Sequence, residues 1–542
     1  MFAWREELRA LAVAANEAGV TPAADETLAF NLESKDPDEA RKLEASLAAE
    51  FTEAVRVGPL FDNPDPELGR FTRLEFAAVD TDVGAPIAYD VAYALADTYA
   101  LRSAEPDLPS HFYFEPGEDP ERGDDAESAL VSAFCEVNGT PPPDQRWAVK
   151  MVRAAEAAQY SLDQGRPSAG AGVRIAQPDT GVVVPNLDLE AGSLDANLGW
   201  DIILNKQGAV DPLNYSGNKG HGTATSSVVI SRTGGQVTGS APAAQLYPIR
   251  TIKSVVVFKA APVARAIEKA MTIEAQVITM SLGGVPSRAV RAALRKAVAS
   301  GVIVVAAAGN CVRLVVWPAR YPECIAVGGC NVVEKPWKGS CRGGAVDITA
   351  PAEQVWHASA TDPRGIDDGQ GTSFAVALVA GAAAQWLAHH GPAAVATEAR
   401  NRNVTVQALF REAIQQTARA SQHLDPDKFG PGIINIEALL RKSLSQIRAV
   451  SMPLEQPGDD PGDATPPEYL EILRAFAPDA EAAQIDWRRY GAEVGEVALR
   501  RAVSARAEGV DLPESAPAPV ATDLRAAAAA SGNQALQGLL GQ

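Results

Sequence analysis

Apolar residues along the chain follow three regimes. Over residues 1–115 helical and strand-like spacings alternate. Ile87, Val91 and Leu95 recur at i, i+4 and i+8 and share one face, which predicts a helix over 86–99, and 72–79 reads as a strand. Residues 116–145 are acidic and broken by Gly117, Gly123 and the prolines at 141–143, so they predict an exposed linker whose backbone is left to water. From about 146 to 445 short, nearly continuous apolar runs at 173–176, 245–249, 277–281, 302–307 and 324–328 alternate with amphipathic stretches. Strands that are apolar on both faces and interleaved with helices predict a doubly wound α/β domain, its mainly parallel sheet covered by helices on both sides. Beyond Ser445 a Pro-, Asp- and Gly-rich stretch, a helical patch over 467–508 and an Ala-rich end predict a helical or partly disordered tail over 446–542.

A single hydrophobic core stops growing at about 250–300 residues, so 542 residues imply one large domain with flanking segments. The 46% hydrophobic fraction supplies that core, and no unbroken apolar run of about 18 residues predicts a membrane span. A net charge of -20 repels phosphate backbones and acidic lipid, so neither nucleic acid nor membrane is expected as a partner. Arg5, Glu6, Glu7 and Arg9 fall where a secretory signal needs an apolar core, which predicts a cytoplasmic protein. Cys311, Cys324, Cys330 and Cys341 cluster without paired C-x-x-C knuckles, so thiols rather than a zinc site are expected.

Acyl transfer near neutral pH needs a nucleophile, a base for its proton, a group that holds the base, and donors for the oxyanion. Asp179 ends an apolar strand and is followed by Thr180-Gly181; alone, such an Asp is more often a turn residue. His221 sits in Gly220-His221-Gly222-Thr223 ahead of a helix-compatible run, a setting that the other five histidines lack. Ser373, in Gly371-Thr372-Ser373-Phe374-Ala375, opens a helix of small residues. There it is by default an N-cap, yet a nucleophile so placed also gains its own N–H and the positive end of the helix dipole.

Taken in this order the blocks resemble the subtilase family, from about Trp147 to Leu440. Its aspartate block looks like 173–181, its histidine block like 220–227 with 239–250 behind it, and its serine block like 371–381. Asn310, in Ala306-Ala307-Ala308-Gly309-Asn310, matches the family's oxyanion asparagine, and Ser281-Leu282-Gly283-Gly284 matches the strand that borders substrate. The resemblance implies a serine endopeptidase with Asp179, His221 and Ser373 as triad and Asn310 as oxyanion donor, acting on protein or peptide substrates without a cofactor. It also implies that 1–115 is a prodomain-like α+β segment acting as an intramolecular inhibitor, with 108–114 suited to strand addition in the cleft. The bland alternative is an accessory domain. The chain departs from the family at Gln177-Pro178, where relatives carry apolar residues and where Pro178 predicts altered strand pairing. Phe374 replaces a methionine, Ala377 a proline, and Val316 stands where a glycine floors the first specificity pocket. The calcium loop of many relatives is absent between Ser231 and Gly239, and no metal is assigned. Two competing readings remain: an inactive scaffold on the same fold, and an esterase, which would need a Gly-x-Ser-x-Gly elbow that Ser373 lacks.

Overall fold

The computed structural model describes residues 27–108, 137–448, 467–507 and 520–541 apart from scattered positions within them, together with a few residues between 5 and 11. Most of the predicted linker (116–136), most of the predicted strand-addition stretch (109–114) and the stretches 449–466 and 508–519 lie outside the described residues.

The N-terminal unit runs β1 (Thr27–Glu33), α1 (Pro37–Glu50), β2 (Val55–Pro59), β3 (Phe71–Asp80), α2 (Ala88–Tyr99) and β4 (Ser103–Pro106). Its strands form an antiparallel sheet in the order β2-β3-β1-β4. Asp36 starts α1 by accepting the N–H groups of Asp38 and Glu39. The predicted helix face is the one that is covered: Val91 and Leu95 are buried with Leu28, Phe30, Leu43 and Leu74.

The central domain contains α3 (Trp147–Met151), α4 (Ala154–Asp163), β5 (Arg174–Asp179), β6 (Trp200–Asp201), β7 (Lys206–Gln207), α5 (His221–Ile230), β8 (Gln245–Arg250), β9 (Val256–Val257), α6 (Ala260–Thr272), β10 (Val277–Met280), β11 (Gly283–Gly284) and α7 (Arg288–Ala299). It continues with β12 (Ile303–Ala307), β13 (Ile325–Cys330), β14 (Ile348–Pro351), β15 (Val355–Ala358), β16 (Ile366–Gly369), α8 (Thr372–His390), α9 (Pro392–Asn401), α10 (Val406–Thr417), α11 (Pro426–Phe429) and α12 (Ile436–Arg441). Eight strands line up as β14-β13-β12-β10-β5-β8-β6-β7; every pair from β14 to β6 is parallel, and only the short β7 runs antiparallel. The strands alternate sides as their period of two requires. Ala176, Ile278, Val304 and Ala326 face a core shared with α6 and α7, while Ile175, Val277, Val305 and Val327 face one shared with α5, α8 and α10. This is the α/β, parallel-rich sheet expected from the apolar runs.

At β5 the register with β8 is unbroken from Arg174 to Asp179, Pro178 included, whereas the ladder with β10 holds only Ile175 and Ala176. The missing proline N–H thus falls where the β10 ladder has already ended, and the altered pairing expected at Pro178 takes the form of an early stop on one side.

Helix α8 is long and apolar enough to cross a membrane by length and composition, but it is the core helix of the domain. Eighteen of its residues, Thr372 through His389, are buried. Its small residues allow close approach: a Cβ placed on Gly381 would collide with the Ser240 side chain.

The N-terminal sheet lies over α6 and α7 and meets their positive ends with carboxylates. Asp107 accepts the N–H groups of Ala260 (2.7 Å) and Ala261 (3.2 Å) at the start of α6. Glu105 accepts the Arg288 N–H and the Ser287 hydroxyl, both at 3.0 Å, at the start of α7. In return Glu268 of α6 accepts the N–H groups of Asp62 and Asn63. Glu33 is paired with both Arg70 and Arg288.

The C-terminal residues depart from the expected tail. Helices α13 (Pro467–Phe476), α14 (Pro478–Glu481), α15 (Trp487–Ala507), α16 (Thr522–Ser531) and α17 (Gln534–Leu539) bury Ile472, Leu473, Val494, Leu524, Ala528 and Leu536 in the same core as α6 and α7. In the Ala-rich end Leu524 and Ala528 face the core, while Ala526, Ala529 and Ala530 are exposed. Among the cysteines, Cys324 and Cys330 are buried thiols as expected and Cys341 is buried, but Cys311 is disulfide-bonded.

Gly381→Val should lower stability by about 1–3 kcal/mol through overpacking against Ser240. Gly344→Ala, which meets open space, should stay within about 0.5 kcal/mol. Thermal midpoints compared in a Ser373→Ala background check both.

Candidate active site

Strand β5 carries Asp179 to the carboxyl edge of the sheet, the edge at which open parallel sheets gather functional groups. The carboxylate is buried, with Oδ1 accepting the Thr180 N–H at 2.7 Å and lying 2.8 Å from His221 Nδ1. Oδ2 accepts from the Thr225 hydroxyl at 3.3 Å. A carboxylate can only accept, so this pairing puts the imidazole proton on Nδ1 and leaves Nε2 as the basic nitrogen.

His221 opens α5 directly after Gly220, whose φ of 76° places it in the left-handed region. The Gly220 N–H is held at 2.8 Å by Asp211 Oδ2, on a buried residue that sequence reading passed over. Asp211 also accepts from the Thr180 hydroxyl (3.0 Å), the Tyr215 hydroxyl (3.1 Å) and the Leu213 N–H (3.0 Å). Thr180 Oγ1 in turn accepts the Gly222 N–H at 3.1 Å, so one hydrogen-bonded chain runs from the Asp179 strand to the His221 helix. Gly222 has to be glycine, since a Cβ there would collide with the Gly181 carbonyl. Gln177 gives the same helix a second tie: Nε2 donates to Thr225 Oγ1 at 2.7 Å, and Oε1 accepts from the Ser226 hydroxyl at 2.5 Å. The departure from an apolar pair at 177–178 is therefore a buried polar brace with satisfied partners.

Ser373 is the second residue of α8 and is 6% exposed. Its carbonyl accepts from the Ser281 hydroxyl at 3.1 Å, which ties the start of the helix to the segment after β10. Asn310 follows β12 across Gly309 (φ 102°), and its Oδ1 accepts from the Thr372 N–H (3.0 Å) and hydroxyl (2.9 Å). With the oxygen fixed on Thr372, the amide turns Nδ2 toward Gly371, at the mouth of α8. Helices α5 and α8 pack against each other, which brings the His221 and Ser373 ends to one edge of the sheet. Phe374, the residue after Ser373, stacks on His357 of β15 with ring centroids 5.2 Å apart. Burial lowers the His357 pKa from its ordinary value, with the neighbouring His221 adding to the effect.

The predicted substrate-bordering residues are also brought here. The Gly283 N–H donates to the Val255 carbonyl (2.9 Å), and the Gly284 N–H donates to the Trp317 carbonyl (2.7 Å). Leu282 is buried in the core with α6 and α7, while Val316 lies against both Gly283 and Gly309. A Cβ on either Gly283 or Gly309 would run into Val316 Cγ2.

A family model described as the subtilase family matches residues 170–432, the span holding all of these groups. The chain is 32% identical over 277 residues to subtilisin DY of Bacillus licheniformis, covering 50% of this chain and 91% of that one. It is 29% identical over 300 residues to subtilisin Savinase of Lederbergia lenta, covering 54% and 98%. With subtilisin E of Bacillus subtilis it shares 32% identity over 232 residues, 41% of this chain, and it spans 56% of that relative's length. On these matches the chain belongs to the subtilase family.

Proposed function

We propose that this chain is a serine endopeptidase in which Ser373 forms the acyl-enzyme. The observation that carries this reading is the 2.8 Å contact between Asp179 Oδ1 and His221 Nδ1, made beside the buried N-terminus of the helix that bears Ser373. His221 Nε2 takes the Ser373 proton as Oγ attacks the scissile carbonyl, and Asp179 stabilises the resulting imidazolium. Asn310 Nδ2 and the Ser373 N–H donate to the oxyanion, assisted by the α8 dipole. His221 then returns the proton to the leaving amine, and water, activated the same way, hydrolyses the ester. Ser281, Leu282, Gly283 and Gly284 border the substrate. Val316, between Gly283 and Gly309, shortens the pocket for the side chain before the cleaved bond and favours a small residue there.

The second part of the proposal is that the N-terminal unit, 1–115, restrains the enzyme. Support comes from its docking: two carboxylates on or just after β4 hold the N-termini of α6 and α7, the helices that flank the substrate strand. This is a specific anchorage at the helix ends most attractive to anions. Leu108, just after β4, is still buried in the core of the unit, and a cut in the linker beyond it would free the C-terminal end of the unit.

Ser373→Ala and His221→Ala should each abolish peptide hydrolysis, with losses near the roughly 10⁶-fold seen in subtilisin, a relative. Activity above a tenth of wild type in either would overturn the triad. Asn310→Ala should lower kcat by about 10²–10³-fold, again the subtilisin magnitude, with little change in KM. A fluorophosphonate probe should label Ser373 alone.

Docking of the N-terminal unit should weaken as pH rises. Burial pushes Glu105 from 4.5 up to about 7, against the pull of the Arg288 N–H, the Arg288 charge and the Ser287 hydroxyl and with Glu33 adding to the rise. Burial raises Glu268 as well. A docked carboxyl that keeps its proton to higher pH than the free one takes up a proton on docking. Association is then fully favoured below about 4.5 and falls by up to about tenfold per pH unit until about 7. Asp107 acts in the opposite sense: burial alone would raise it, but Arg73, Lys259 and the α6 N–H groups hold it below its ordinary value, so its contribution is lost only in stronger acid. Dissociation of the N-terminal piece from linker-cut Ser373→Ala protein should therefore be slower at pH 5 than at pH 8. Glu105→Gln should flatten that dependence; an equal or reversed dependence in wild type would refute the assignment.

A further inference from the structure

Helix α2 of the N-terminal unit is gripped by the C-terminal helices. The Tyr93 hydroxyl donates to Glu493 of α15 at 2.7 Å, and its ring meets Tyr490 edge-on with centroids 5.3 Å apart. Arg489 forks onto Asp97 at 2.7 and 2.9 Å, reaches Asp523 at 3.2 Å and lies 4.8 Å over the Tyr93 ring. Asp90 accepts the N–H (2.9 Å) and hydroxyl (3.2 Å) of Thr522 and so holds the start of α16. Glu493 is fully buried and accepts the Ala521 N–H at 2.6 Å, which joins α15 to α16 around the same contact.

The same helices hold the catalytic domain. Tyr469 of α13 donates to the Pro286 carbonyl, three residues from Gly283, at 3.3 Å, and Glu471 pairs with Arg320. Ile472, Leu473 and Val494 complete the core that contains α6 and α7. One helical unit therefore bridges the N-terminal unit and the edge of the substrate strand.

We propose that the C-terminal helices are a docking surface for the N-terminal unit, recognising α2 through Arg489, Tyr490 and Glu493, and that they retain this unit on the catalytic domain after the linker is cut. The proposal rests on the reading that the unit restrains the enzyme, and it assigns the control of its release to the C-terminal extension. Carboxylate contacts to α6 and α7 and the α2 contacts to α15 and α16 lie on one connected body. Releasing one leaves the other to hold the ligand nearby, so the two together slow departure far more than either alone. Linker cleavage by itself then leaves the enzyme restrained, and activation requires the C-terminal grip to open.

The test uses the full chain with Ser373→Ala and a recognition sequence for an unrelated protease placed between 116 and 136. After cutting, release of the N-terminal piece is followed by surface capture of the remainder. Arg489→Ala and Tyr93→Phe should each release it at least tenfold faster than wild type. Tyr93→Phe keeps the ring and so reads the contact even if Arg489→Ala disturbs the helices. Arg489→Asp combined with Asp97→Arg should restore slow release relative to Arg489→Asp alone. Release within twofold of wild type in both single variants would overturn the proposal. The catalytically intact cut chain separates this from the restraint reading. A retained piece with full peptidase activity would sink restraint and leave the docking surface standing. A piece that inhibits when added back, yet leaves at the same rate in every variant, would do the reverse.

Discussion

A helix without a polar face is stable in water only when protein encloses it on every side, and α8 is such a helix. Its alanines and glycine let the sheet, α4, α5 and α12 approach at backbone distance, which fixes its axis against many neighbours at once. The N-terminal end is then determined as rigidly as the core itself. Ser373 needs no loop to position it, because the same packing that buries Trp386 and Leu387 aims its hydroxyl end at the carboxyl edge of the sheet. The histidine helix inherits its place from this one, and Asp179 completes the set from the middle strand of the sheet.

Charge at helix ends organises the rest of the molecule. The N–H groups at the start of a helix lack intrahelical partners and attract anions. Helices α6, α7 and α16 each receive a carboxylate from the N-terminal unit: Asp107, Glu105 and Asp90. That unit therefore supplies carboxyl acceptors to helices on both sides of it, two in the catalytic domain and one in the C-terminal extension. A fragment bound in this way is oriented as well as held, since each cap tolerates only a narrow approach.

The alternation of apolar runs and helices exposed the parallel sheet in the sequence, because strands buried on both faces leave no other pattern, and the predicted strands match β5, β8, β10, β12 and β13 to within three residues at either end. The candidate residues stood out for a different reason: Asp179, His221 and Asn310 each sit beside glycines that the backbone demands, Gly181, Gly220, Gly222 and Gly309, and Ser373 opens a helix of small residues. Asp211 left no such mark. An acidic residue at 211 in a loop is indistinguishable by type from any solvated one, and only the fold reveals that it organises the turn before His221. The helical patch over 467–508 was legible, but its packing against α6 and α7 was not, since a solvated amphipathic helix and a docked one carry the same pattern.

The three units converge on one pair of helices. α6 and α7 line one face of the sheet, carry the N-terminal sheet on their outer surface, and share a core with the C-terminal extension. The stretch from β11 into α7 belongs to all three: Gly283 and Gly284 form β11, Pro286 accepts from Tyr469, and Ser287 and Arg288 donate to Glu105. Six consecutive residues thus pass from the segment proposed to border substrate to C-terminal contact to N-terminal contact. A displacement of either flanking unit must be felt at the strand that would hold the substrate backbone, because no flexible spacer separates them. The restraint proposed for the N-terminal unit would in that sense act through the same segment that Tyr469 of the C-terminal extension braces.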